Sequence, residues 1–297
     1  MSVFLPNQNQ SHHPAIYSVS SFEGPACEGN HHWVFVNFNF TQAHQSFERF
    51  NLQSNQWPQQ LSAQLPENVL VFLSIDSASL HCVFFSKGRQ VARCGSGSLS
   101  AAKILFDEYS MHTPLRVTTS VQTLLLGRQN GLAEKYFYQT ATLPMVKLSR
   151  FRHMQTMINR KIKTVHAIGG DSDYYLIELY SQKAVRQCSI NAQLLGLISK
   201  RALIVTAASD STHWDYVMRY FAPQYGNYED AATGSANAML APYWQTRLLK
   251  KKVRGRQLSK QGGIFDIEKC AVQQRVYGRV STLKVAATDL QCGGTNI

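Results

Sequence analysis

Two stretches of this chain are near-copies of each other. Residues 94–102 read Cys-Gly-Ser-Gly-Ser-Leu-Ser-Ala-Ala, and residues 233–241 read Thr-Gly-Ser-Ala-Asn-Ala-Met-Leu-Ala. Each opens on a small nucleophilic residue, passes through Gly-Ser, and continues into small and apolar residues at helical spacing. Each follows a segment with strand character. The pattern predicts a duplicated fold with one central helix per half, small enough at its start to be enclosed by sheet. A helix start presents unpaired backbone N–H groups and the positive end of the helix dipole, so it attracts anions such as carboxylates. Two such starts facing each other would hold a small acidic substrate. The alternative is that both Gly-Ser pairs serve only as tight helix starts.

The rest of the chain fits that duplication. In the first half, residues 16–22, 33–38, 69–75 and 80–86 have strand character, with 76–79 as a turn. Residues 41–50 predict a helix, with Thr41 as N-cap and Phe47 and Phe50 on one face. After a turn at 87–88 and a short run at 90–93 comes the first central helix, 95–109. Strands are expected at 115–119, 121–126, 135–140 and 142–148, with a turn at 127–131. In the second half, strands are expected at 164–168, 174–179, 203–207 and 216–221, and a helix at 191–199. The second central helix is expected at 234–248, and closing strands at 264–267, 271–277 and 281–286. Strands without regular βαβ alternation argue against a Rossmann-type sheet, and no dinucleotide fingerprint or phosphate loop is present.

The 297 residues suggest two domains. We expect a disordered tail at 1–13, one domain at 14–127 that 282–297 could complete, and a second at 128–281. A 44% hydrophobic and 16% charged composition is that of an ordinary globular chain. No apolar run has membrane-spanning length, and the polar start lacks the features of a signal peptide. Six scattered cysteines without a CxxC pair fit reduced thiols in a cytoplasmic protein and give no zinc spacing. The formal net charge is +12. Much of the excess lies at 247–260, in Arg247, Lys250, Lys251, Lys252, Arg254, Arg256 and Lys260. Such a run can bind phosphates, but it carries no interleaved aromatics. It is expected to be a solvated loop or helix end rather than a nucleic-acid site.

At residues 219–236 the pattern becomes more specific. Arg219-Tyr-Phe-Ala-Pro-Gln-Tyr-Gly226, followed by Glu229-Asp-Ala-Ala-Thr-Gly-Ser-Ala236, resembles the signature of the phenazine-biosynthesis (PhzF-like) isomerase family. Ser21-Phe22 through Gly29-Asn30, Asn51-Leu52, Cys94-Gly95, Gln257 and Gly262-Gly263 resemble its other landmarks, in order. The resemblance covers roughly residues 15 to 285. It implies an α+β, diaminopimelate epimerase-like fold: two pseudo-symmetric domains, each a barrel-like, mostly antiparallel sheet around a central helix, with the active site in the cleft between them. It also implies cofactor-free proton transfer next to a carboxylate, with no metal. The expected partner is a small carboxylate-bearing substrate, and a homodimer is an option.

The family usually carries a glutamate shortly after Asn-Leu; here that position is Ser54. It usually carries histidine after the glycine of the first helix start; here that residue is Ser96. Serine is a poor general base. Asp230 is kept, which makes it the expected acid/base, unless it only caps the second helix. Cys94 is the competing candidate. Related epimerases use cysteines at helix starts, and a helix start lowers a thiol's pKa. With Thr233 at the matching position, the pair resembles the one-base arrangement of related hydroxyproline dehydratases. Gly95, Ser96, Gly97, Thr233, Gly234 and Ser235 are the expected substrate-binding set. Arg219 is expected to pair with Asp230 or Glu229, and His31 and His32 to start a surface strand. The leading reading is an isomerase with altered catalytic residues; the alternative is a catalytically silent binder of small acids.

Overall fold

The structure, a computed structural model, describes residues 15–37, 56–65, 69–76, 79–131, 134–150 and 152–285. The helix expected at 41–50, the tail at 1–13 and Ser54 lie outside the described residues. In chain order the elements of the first half are β1 (Ala15–Glu23), β2 (Asn30–Val36), α1 (Trp57–Gln64), β3 (Val69–Ile75), β4 (Leu80–Ser86), β5 (Arg89–Val91), α2 (Gly95–Asp107), β6 (Leu115–Thr118), β7 (Thr123–Gln129) and β8 (Lys135–Ala141). Then follow β9 (Met145–Lys147), α3 (Arg152–Gln155), β10 (Ile162–Ile168), β11 (Tyr174–Leu179), α4 (Gln182–Arg186), α5 (Ala192–Ile198), β12 (Ala202–Ala208) and β13 (Tyr216–Phe221). The last are α6 (Gly234–Leu248), β14 (Lys252–Gln257), β15 (Gly263–Cys270) and β16 (Gln273–Val285).

The chain forms two compact units. Among the described residues, the first comprises those from Ala15 to Ser21, those within His31–Gln139 and those from Gly278 to Val285; the second comprises Phe22–Asn30 and those within Thr140–Tyr277. In the first unit β1, β2, β3, β4, β6, β7, β8 and β16 are hydrogen-bonded neighbours in that order. β16 also pairs with β1, which closes an eight-strand barrel. The β2–β3 and β4–β6 pairs are parallel; the β3–β4, β6–β7 and β7–β8 pairs are antiparallel.

Helix α2 packs on β3, β4 and β7, and every residue from Gly95 to Ala102 is buried, as are Ile104, Leu105 and Phe106. The small residues permit this enclosure. At Gly97 a Cβ would lie 2.9 Å from the Phe84 ring. The buried hydroxyls are satisfied locally. Ser21 Oγ and Ser100 Oγ both donate to the Ser96 carbonyl, at 3.0 and 3.1 Å. An unbonded buried hydroxyl would cost roughly 1–3 kcal/mol. On the barrel's other face, α1 packs Trp57, Leu61 and the adjoining Leu65 against Phe35, Leu70 and Phe85.

In the second unit the strand order is β16-β15-β14-β13-β12-β11-β10-β9, with β11–β12 and β13–β14 parallel. β12 shows how the sheet serves two layers. Leu203, Val205 and Ala207 join a core with Met154, Val185 and Leu195. Thr206, on the opposite face by the two-residue strand period, accepts a hydrogen bond from Trp244 Nε1 of α6 at 3.0 Å. Helix α6 is buried at Gly234, Ala236–Ala241 and Tyr243–Gln245. It continues through Pro242, which has no N–H to give the helix. Each unit is thus a mostly antiparallel sheet around a small-residue helix. Among the described residues no helix is long and apolar enough to cross a membrane.

Several expectations are corrected. The basic run is a helix end and loop only in part: Arg247 is in the last turn of α6, but Lys252–Gln257 is a strand paired on both sides, to β13 and β15. Its Val253, Gly255 and Gln257 are buried, while Lys252 and Arg254 are exposed. Aromatics do accompany it in space, because Trp214 stacks under the Arg254 guanidinium at 4.7 Å. Gly127 is not in a turn but lies within β7 opposite Phe137, where a Cβ would meet the Phe137 ring at 2.1 Å. The strands expected at 271–277 and 281–286 form one strand, β16. His32 is not at the surface; it is fully buried in β2 opposite Val69.

Burial pushes the His32 imidazole down to about 3, with His31 adding to the effect and the Val69 backbone opposing it. The native state therefore holds this ring neutral where the unfolded chain, near 6.5, protonates it. Stability is full above about pH 6.5 and falls as pH drops toward 3, by up to about 1.4 kcal/mol per pH unit. Melting curves between pH 6.5 and 4.5 are expected to show a shallower acid-side decline in His32→Leu than in the wild type. Equal slopes would remove His32 as a source of acid sensitivity.

Candidate active site

The start of α6 is built around Asp230 and Thr233. The Asp230 carboxylate accepts hydrogen bonds from the Thr233 hydroxyl and, at 3.3 Å, from Asn30 Nδ2. The loop carrying both residues is tied to the end of β14 by Gln257, whose side chain is fully buried. Gln257 Oε1 accepts from Thr233 N at 2.8 Å, and Gln257 Nε2 donates to the Asp230 carbonyl at 2.6 Å and to Thr233 Oγ1 at 3.3 Å. Ser259 Oγ donates to the Ala231 carbonyl. Close approach on the other side needs Gly263, where a Cβ would lie 2.7 Å from Ala232 Cβ.

This arrangement fixes the chemistry of the helix start. Thr233 is the N-cap residue of α6, but its side chain makes no cap hydrogen bond. Its hydroxyl is directed to Asp230 instead. The first-turn N–H groups, which have no partners within a helix, therefore receive no oxygen from Thr233. Ser235 is half-buried on this first turn, next to the buried Gly234. Burial raises the Asp230 carboxyl above the usual carboxylate range, with Glu229 adding to it; the Thr233, Ala231 and Asn30 hydrogen bonds pull the other way. Proximity to a helix start alone would keep the group ionised; here desolvation is the larger effect.

The start of α2 is different. Cys94 Sγ accepts from Gly97 N at 3.3 Å and so caps the helix, and it lies 3.5 Å from Ser96 Oγ. Ser96 is buried, and Gly95 and Gly97 are buried with it. Burial and the neighbouring Cys94 raise the pKa of the deeper thiol, Cys82. Two equivalent positions thus do opposite things: the first nucleophile closes its helix start, and the second leaves it open.

Arg219 pairs with Glu229, not Asp230, through Nε–Oε1 at 2.6 Å and Nη2–Oε2 at 2.7 Å. Its remaining nitrogen, Nη1, donates to the Cys188 carbonyl at 2.6 Å. The guanidinium is thereby committed to fixing the Glu229–Asp230 loop. His31 Nε2 lies 2.7 Å from Ser18 Oγ. Among the described residues no group of three or more His, Cys, Asp or Glu is placed to hold a metal ion. Sequence reasoning noted Asn30 and Gln257 but gave neither a role. Their roles depend on contacts with Asp230 across 200 and 27 positions.

The family model for phenazine biosynthesis-like proteins matches residues 24–284. The chain belongs to that family. A relative from Halalkalibacterium halodurans, named as an uncharacterised isomerase, is 29% identical over 214 residues, which is 71% of this chain and 79% of the relative. The crystal structure of a PhzF-family protein from Enterococcus faecalis matches with a TM-score of 0.76 at 21% identity, over 92% of this chain and 99% of that one. A hydroxyproline epimerase from Agrobacterium vitis, solved with trans-4-hydroxy-L-proline, matches at a TM-score of 0.53 and 11% identity, over 93% and 94% of the two chains. Both structural likenesses concern the fold, which is that of the PhzF and epimerase-like proteins.

Two substitutions separate scaffold from chemistry in this phenazine biosynthesis-like protein. Gln257→Ala leaves buried backbone groups of Asp230 and Thr233 without partners and is expected to cost roughly 2 kcal/mol or more. Asp230→Asn is expected to melt no lower than wild type at pH 7. A carboxyl whose folded pKa is raised contributes least to stability above that pKa, and more as pH falls through it. Chemical denaturation of both variants checks the contrast, and a larger loss in Asp230→Asn would reverse this assignment.

Proposed function

We propose that this protein is an isomerase that moves a proton next to the carboxylate of a small acid, without a cofactor, using Asp230 as the acid/base. The observation that carries this reading is the start of α6. A carboxyl with a raised pKa lies beside a helix start that its N-cap side chain leaves open. In this reading the substrate carboxylate sits against Gly234 and Ser235, on the first-turn N–H groups. Asp230 takes the proton from the adjacent carbon, and the electron pair passes into the carboxylate. The negative charge that develops is stabilised by the helix start. Burial that disfavours the ionised carboxylate also makes it a better proton acceptor, bringing its pKa closer to neutral pH. The protonated Asp230 then returns the proton to a different carbon or a different face.

Thr233 supports this role by holding one Asp230 oxygen and accepting from Gln257 in turn. Gly95, Ser96 and Gly97, with Cys94, form the corresponding start in the first unit. Cys94 is the competing base, and its Sγ accepts from Gly97 N. That contact also occupies the thiol as a cap, which supports Asp230 over Cys94. Ser96 and Ser54 stand where the family carries its proton-moving side chains, so turnover should be slow for the family.

The test is solvent deuterium wash-in, followed by NMR or mass spectrometry, over a panel of α-amino and α-hydroxy acids. Wild type is expected to exchange the proton next to the carboxylate of at least one, and Asp230→Asn to lose about 10² or more in rate. Retained exchange in Asp230→Asn with loss in Cys94→Ala would move the base to the thiol. Saturable binding of an acid with no exchange would sink the isomerase reading.

A companion prediction concerns the two serines. Ser54→Glu combined with Ser96→His restores the family's residue types and is expected to raise the exchange rate on the same acid. An unchanged or lower rate in a variant that melts like wild type would show that the serines are not a catalytic deficit.

A further inference from the structure

The other end of α6 carries a feature that this reaction does not use. By helix rise it lies about 20 Å from Gly234. A pocket of about 550 Å³ opens there, lined by Lys250, Lys251, Lys269, Thr142, Gln245 and Gln274 among others, all of the second unit. Among the described residues that line it, none is acidic.

The lysines are not equivalent. Lys250 is held by Asp215, its Nζ 2.5 Å from the carboxylate. Lys251 and Lys269 have no ion-pair partner among the described residues, and they face each other where Lys251, just before β14, continues the β14–β15 register. Lys269 N donates to the Lys251 carbonyl at 3.0 Å, and both side chains line the same pocket. Like charges set opposite each other on one face of a strand pair destabilise it.

The chain nevertheless fixes that pair in place from below. Gln245 and Gln274, both buried, exchange two amide hydrogen bonds at 2.9 and 3.1 Å, and Gln245 Nε2 also donates to the Lys251 carbonyl at 3.1 Å. The arrangement is a concavity lined by two exposed lysines, with the buried Gln245–Gln274 pair beside them.

The neighbouring cations are already engaged. Arg254 pairs with Asp266 at 3.3 Å and stacks on Trp214, Arg247 pairs with Glu178 at 3.5 Å, and Lys252 lies over the Tyr277 ring at 5.4 Å. Arg254 and Arg247 thus each have an acidic partner, while Lys251 and Lys269 share one pocket without one among its lining residues. A nucleic-acid backbone needs a row of available cations. A small dianion needs only the two that are here.

We infer that this pocket binds a small molecule carrying a phosphate group, held between Lys251 and Lys269. A phosphate dianion neutralises both ammonium groups at once, whereas a single carboxylate leaves one uncompensated. Lysine ammonium groups act as point charges without directional demands, which suits a tetrahedral phosphate. The pocket volume is in the range of small-molecule sites.

The experiment is calorimetric titration of the full chain with inorganic pyrophosphate at low salt. Wild type is expected to show one saturable site, weakened at least about tenfold in Lys251→Gln/Lys269→Gln and unchanged in Ser235→Leu. The double variant without anion should melt higher than wild type, because the repulsion is gone, and should gain nothing further from pyrophosphate. Absence of saturable binding overturns the inference, and so does equal affinity in the double variant. Loss in Ser235→Leu alone would place the anion at the start of α6. A twelve-nucleotide single strand that binds more tightly than pyrophosphate, and is lost on Arg254→Gln/Arg256→Gln, would make this face a nucleic-acid surface instead.

Discussion

The buried amide of Gln257 sets the geometry on which the α6 start depends. A side chain with one acceptor and two donors meets a backbone N–H, a backbone carbonyl and a hydroxyl, and no other residue type of that size offers the same set. With the loop held at both Asp230 and Thr233, the threonine cannot turn back to cap its own helix. The carboxylate gains a donor and the helix start loses an acceptor. The Arg219–Glu229 pair then anchors the loop from the far side, the structural pairing expected of Arg219, with Glu229 rather than Asp230 as its partner. The chemistry proposed for Asp230 rests on this division of labour among the side chains around it.

The duplicated helix starts show how one local design supports two outcomes. Cysteine and threonine are close in size, and both occupy an N-cap position before Gly-Ser. The thiol is a weak acceptor but a large one, and it reaches the Gly97 amide. The hydroxyl is a good donor, and the nearby carboxylate is the stronger attraction. The divergence therefore comes from what lies three residues upstream. In the first half that residue is Val91, an apolar side chain with nothing to accept a proton, and in the second it is Asp230.

Much of this fold could be read from residues alone because its central helices are written in small residues. Gly95 to Ala102 and Gly234 to Ala241 cannot form an amphipathic surface helix, and enclosure is what remains. Strand β14 was hidden for the opposite reason. Its outward positions are lysine and arginine, which suggest a solvated run unless one notices that Val253, Gly255 and Gln257 alternate with them. Gly127 misled because glycine marks turns more often than it marks a strand position crowded by an aromatic ring. Helix α1, rich in glutamine, shows its apolar contacts only once Phe85 and Leu70 are placed beside Trp57 and Leu61. At the candidate site, Asp230, Thr233 and Gly234 are legible as a motif. The partnership of Asp230 with Asn30 and Gln257 is not, since separation along the chain carries no trace of a hydrogen bond.

The ring of the first unit closes only through β16, which supplies the last strand from the far end of the described chain. During synthesis, β1 and β8 emerge well before the segment that pairs with both. Until then each presents a row of unsatisfied backbone groups, the kind of edge that invites pairing with another chain. A fragment ending at Gln139 would keep those two edges permanently, although it holds the whole of α2 and most of the strands around it. For this protein the order of translation is thus also an order of exposure, and it is β16 that ends the exposure of the two edges.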